Sequence, residues 1–112
     1  MFKNFTIYLN EIREAINSIE RFVEGMTFED FKSDDKTSSA VIRKLEIIGE
    51  ATKKIPENIR KKHSQIPWKE ISGMRDKLIH AYSKVDLKLV WMTIKQRIPE
   101  LKSFIQKIMT EN

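Results

Sequence analysis

Apolar residues in this chain recur at intervals of three and four, and that period restricts what it can fold into more than any other feature. Ile12, Ala15, Ile16, Ile19, Phe22 and Val23 form one such set and predict a helix from about Phe2 to Glu24, stopped at Gly25. Val41, Ile42, Leu45, Ile48 and Ala51 form a second, over about Asp35 to Lys54, with Pro56 ending it. Leu87, Val90, Trp91, Ile94, Ile98, Leu101, Phe104, Ile105 and Ile108 form a third, from Leu87 to about Met109. Because a helix advances about 100° per residue, each set gathers on one side. No alternating strand pattern, internal repeat, glycine-rich phosphate loop or low-complexity tract competes with this period. The sequence therefore predicts an all-α antiparallel bundle of four to five main helices with short connections.

Punctuating residues refine the outline. Thr27 can cap a short turn or helix over Phe28 to Phe31, with Asp30 at the third helical position as a weaker capping box. The polar stretch Lys32 to Ser39 then turns or begins the next helix. Gly49 is costly inside a helix, which points to close approach of another backbone or a bound group. Pro56 suits the first turn of a short helix from Glu57 to about Lys62, and Pro67 starts another in which Trp68 and Ile71 face inward. His63, in a polar run, is expected at the surface. Asp86 can cap the last helix, and Pro99 within it removes one backbone hydrogen bond and crowds the preceding turn, predicting a kink near Lys95.

At 112 residues the chain makes a single domain, residues 1–112, long enough for one core. With 40% hydrophobic and 33% charged residues it reads as a soluble globular protein. The absence of cysteine excludes disulfides, thiolate metal sites and a cysteine nucleophile. Charges at Glu11, Arg13 and Glu14 interrupt any signal-peptide core, and no apolar run could span a membrane, so a cytoplasmic location is expected. A net charge of +5, from 21 basic and 16 acidic side chains, favours an anionic partner. Part of the excess is concentrated in Lys53, Lys54, Arg60, Lys61 and Lys62. Such a cluster is usually a solvated face, but beside a phosphodiester site it would supply phosphate contacts, where most nucleic-acid affinity resides.

The chemistry is gathered in Met74-Arg75-Asp76-Lys77-Leu78-Ile79-His80-Ala81-Tyr82. On a helical wheel Met74, Leu78, Ala81 and Tyr82 share an apolar side, and Asp76 and His80 lie roughly opposite. Asp76 and His80 are spaced i, i+4, so the carboxylate could hydrogen-bond the imidazole. Arg75 and His80 are about 140° apart on a regular helix and would not converge on one small target. Either the helix breaks near His80 or a second copy of the chain completes the site. Upstream, Glu46 and Glu50 share a face; they either pair with nearby cations or, for Glu50, turn towards the motif.

Arg75-x4-His80-x-Tyr82 on a helix of a small all-helical chain resembles the HEPN superfamily, and more closely its HepT-like toxin branch. The likeness extends through Leu45-Glu46-Ile47-Ile48-Gly49-Glu50-Ala51, Ile66-Pro67-Trp68-Lys69-Glu70-Ile71, Val85-Asp86-Leu87, Val90-Trp91 and Ile98-Pro99-Glu100-Leu101. Ser83-Lys84 departs from it, since many relatives carry an aromatic and a glycine there. The resemblance implies a HEPN-like fold, a homodimer, and an endoribonuclease whose Arg75 and His80 are catalytic. It also implies that Tyr82 is adenylylated by a cognate MntA-like nucleotidyltransferase antitoxin.

Chemistry agrees with that expectation. Cutting RNA without a metal needs a base for the 2′-hydroxyl proton, an acid for the departing 5′-oxygen and a cation for the phosphorane charge. An imidazole has the right ordinary pKa for the first two tasks and a guanidinium the geometry for the third. One copy supplies one motif histidine, so a two-fold dimer would supply both acid and base. Asp76 would orient His80 or contact RNA, with Glu50 in support, and Lys53, Lys54, Arg60, Lys61, Lys62 and Lys77 would hold the backbone. Tyr82 is otherwise read as a core tyrosine with its hydroxyl at the edge. No cofactor is called for, and His63 and His80 lack compact metal-ligand spacing. A non-catalytic HEPN module, holding nucleotide or substrate for a nucleotidyltransferase, is the alternative.

Overall fold

In the computed structural model, residues 5–74, 76 and 86–111 are described. Their order is α1 (Phe5–Val23), α2 (Phe28–Ser33), α3 (Asp35–Lys53), α4 (Glu57–Lys62), α5 (Trp68–Ser72), α6 (Leu87–Met92), a π-helical segment (Thr93–Arg97) and α7 (Ile98–Glu111). Among the described residues all regular structure is helical, as the apolar period requires. No described helix is long and apolar enough to cross a membrane. The proposed motif residues Arg75, Lys77, His80 and Tyr82 lie outside the described residues.

The three predicted stripes meet in one core. Leu9, Ile12, Ile16 and Ile19 of α1, Val41, Leu45 and Ile48 of α3, and Ile105 and Ile108 of α7 are fully or almost fully buried. Each such side chain contributes roughly 2 kcal/mol when removed from water. Against a net stability of about 5–15 kcal/mol for a domain, losing one is substantial. Neighbouring long helices run antiparallel. Lys54, just past the end of α3, sits 5.8 Å over the Tyr8 ring near the start of α1. Lys102, early in α7, binds Glu20, late in α1, at 2.8 Å.

The helix ends follow the sequence. Thr27 accepts the Asp30 N–H at 3.1 Å while Asp30 accepts the Thr27 N–H at 3.0 Å, a complete capping box. Asp34 starts α3 by accepting the Thr37 N–H at 3.0 Å and the Thr37 hydroxyl at 2.8 Å; these bonds hold its carboxyl below the ordinary 3.8. Asp86 accepts the Leu89 N–H at 3.1 Å and so starts α6. Between α1 and α2 the chain reverses through Gly25, whose φ of +78° would strain a larger residue. The disturbance expected from Pro99 takes the form of the π-helical segment centred on Lys95. There Ile98 N–H donates to Thr93 O, five residues back, so the ladder widens by one residue where proline would otherwise crowd it.

Candidate active site and its basic approach

The descent into the motif is set by α5. Trp68 and Ile71 are buried, and the α5 backbone comes close enough to α3 that a methyl built on Gly49 would stand 3.4 Å from Ser72 O and 3.6 Å from Ile71 O. The backbone approach expected at Gly49 is therefore present, and α5 is its source. Met74, the residue before Arg75, is buried and lines a hollow of about 260 Å³ with Glu70, Leu89, Met92, Thr93, Gln96 and Arg97. Met74 and two side chains of α6, Leu89 and Met92, thus meet at one hollow. Arg97 ties them further, donating to Glu70 of α5 at 2.8 Å and to Glu100 of α7 at 3.1 Å. Asp76 is exposed.

The basic residues fall into different roles. Lys53 pairs with Glu50 at 3.5 Å and Lys61 with Glu57 at 3.9 Å. These pairs are solvent-exposed and contribute little, so either lysine can be drawn off by a phosphate. Arg43 and Glu46 pair at 3.3 Å. Lys54 and Lys62 are exposed. Arg60 is different. Its Nε donates to Ile55 O at 3.0 Å and its Nη2 to Thr52 O at 2.9 Å, so its guanidinium closes the carbonyl end of α3. Lys53, Arg60 and Lys61 line a shallow hollow over Trp68.

His63 is buried rather than at the surface. Expected at the surface, it is only 4% exposed, and its Nε2 lies 3.4 Å from Glu111 Oε1 without forming a hydrogen bond. The cause is the turn that follows. Ile66 N–H bonds His63 O at 3.1 Å, and Trp68 Nε1 donates to His63 O at 3.0 Å and to Arg60 O at 3.2 Å, folding the indole beneath the segment. The end of α7 closes the other side at Glu111. Nothing local in a polar run signals this; Trp68 after Pro67 was the available clue.

Among the described residues, no three histidine, aspartate or glutamate side chains gather where they could hold a metal ion. Sequence reading also passed over the lysine-covered aromatic group of Phe28, Phe31 and Trp91, although Lys88, Trp91 and Lys95 stand at helical spacing.

The described residues form a helical bundle of the HEPN-like class, and Arg75, His80 and Tyr82 fall in sequence between α5 and α6. Residues 12–108 match the family model described as "Ribonuclease HepT-like", and the chain belongs to that family. It is 54% identical over 101 residues to a "Probable ribonuclease HepT" of Thermococcus cleftensis, covering 90% of this chain and 92% of that protein. It is 47% identical over 102 residues to a "Putative RNase" of Caldanaerobacter subterraneus subsp. tengcongensis, covering 91% of each. A Methanocaldococcus jannaschii protein described as "Gamma-glutamylcyclotransferase and putative RNase" is 49% identical over 111 residues, which are 99% of this chain and 50% of that protein. No solved structure gives a significant match.

Proposed function

We propose that this chain is a metal-independent endoribonuclease and the toxin of a toxin–antitoxin pair, acting through Arg75 and His80 of two copies across a shared groove. The observation that carries this reading is the family match over residues 12–108, which takes in the whole motif. One imidazole removes the 2′-hydroxyl proton, and the 2′-oxygen attacks phosphorus. The partner copy's imidazole protonates the departing 5′-oxygen, leaving a 2′,3′-cyclic phosphate and a 5′-hydroxyl. Arg75 holds the charge that gathers on the phosphorane. Asp76 orients these groups, and Lys53, Lys54, Lys61, Lys62 and Lys77 hold the RNA backbone, whereas Arg60 is engaged at the end of α3 and Glu50 with Lys53.

Control follows from Tyr82. An MntA-like nucleotidyltransferase antitoxin transfers AMP from ATP to the phenol oxygen, releasing pyrophosphate. The added adenylate puts bulk and negative charge where substrate phosphate must sit. His80→Ala and Arg75→Ala are each expected to abolish RNA cleavage and growth inhibition while leaving the helical circular dichroism signal intact. Cleavage that survives both changes would remove these residues from the mechanism.

A further inference from the structure

A half-exposed aromatic group gathers where α2 packs against α6. Trp91 of α6 packs on Phe31 with ring centroids 5.2 Å apart and on Phe28 at 6.2 Å, both tilted. Phe31 is buried, but Phe28 and Trp91 are only partly so, and the cluster emerges at the surface. Two exposed lysines cover it. Lys88 Nζ is 4.5 Å from the Phe28 centroid, and Lys95 Nζ is 4.7 Å from that of Trp91. Neither lysine has a carboxylate partner among the described residues. Asp30, on the same short helix as Phe28, is turned back into its own capping box. Glu29 is the exposed carboxylate nearby in sequence, and it favours a path for an anion along α6 rather than along α2.

The position matters as much as the composition. Asp86, four residues after Tyr82 in the sequence, caps α6, and Lys88 follows in the first turn. Lys88 and Lys95 lie roughly 10 Å apart along the axis, with the indole between them. An unpaired ammonium resting on a ring at an exposed site is weakly held. It is free to swing to a phosphate and uncover the ring face.

We propose that Phe28 and Trp91, flanked by Lys88 and Lys95, form a stacking shelf for single-stranded RNA that extends the substrate path away from the catalytic segment. The choice of RNA rests on the ribonuclease reading above. Bases stack on the two rings while the two lysines move onto the adjoining phosphates. A duplex cannot use the shelf, because its bases are already stacked on one another.

The probe is a fluorescent 2′-O-methyl oligouridylate, which lacks the nucleophilic hydroxyl and stays intact. The double variant Lys88→Ala/Lys95→Ala changes only exposed side chains and should fold. It should bind the probe about tenfold more weakly, with the slope of log K against log salt reduced by about 1.4, two phosphates at about 0.7 each. In a Trp68→Phe background, where Trp91 is the sole indole, the probe should quench tryptophan emission. Trp91→Leu should weaken binding about tenfold or more, and Trp91→Phe should largely restore it. Unchanged affinity and salt slope in the lysine double variant would overturn the shelf, as would equal competition by polyglutamate, which has charge but no bases. The two readings fail separately. Lysine-dependent binding without cleavage of ordinary RNA retains the shelf and removes the nuclease, whereas cleavage with lysine-independent binding does the reverse.

Discussion

Arg60 illustrates how far a single residue can be read from sequence. Its neighbours Lys61 and Lys62 mark a basic segment, and that much is visible in the chain itself. What its guanidinium bonds is not visible, because the acceptors, Thr52 O and Ile55 O, become available only when α3 ends against α4. Two charge-assisted bonds to helix-end carbonyls make Arg60→Ala destabilising by about 1–3 kcal/mol, seen as a lower urea midpoint with unchanged m value. Arg60→Lys keeps the charge but loses the fork and should recover only part of the loss. Full recovery would mean that charge alone is at work. His63 carries the same lesson, since its burial depends on Trp68 beneath it and Glu111 at the far end of the chain.

At the scale of elements the sequence was far more legible. Stripes, caps and prolines are local signals, and α3 begins where Asp34 caps it and α4 spans the expected Glu57–Lys62. The response to Pro99 was legible in place but not in kind, because a proline can be absorbed by a bend or by a widened turn and the surrounding packing decides. Gly49 links these elements to function. An alanine there would make ordinary contact with the Ser72 and Ile71 carbonyls, but a leucine would push α5 away from α3. Gly49→Leu is expected to cost about 1–3 kcal/mol and to lower RNA cleavage by displacing Met74, where the motif begins. A leucine variant with unchanged melting temperature and activity would show that the close approach is not needed.

For the whole molecule, one bundle must serve both stability and RNA cleavage. Core positions from α1, α3 and α7 hold the bundle, while Met74, after α5, and Leu89 and Met92 of α6 line one hollow braced by Arg97 and Glu70. One chain read alone does not bring the proposed catalytic groups together, since Arg75 and His80 diverge on a regular helix and the proposed chemistry needs a second imidazole. The most direct measurement is to incubate the purified, unmodified protein with single-stranded RNA in excess EDTA and determine the ends of the products. Fragments bearing 2′,3′-cyclic phosphate and 5′-hydroxyl termini are expected at the rate seen without chelator. RNA left intact, or cleavage that stops in EDTA and returns with added metal, would contradict it.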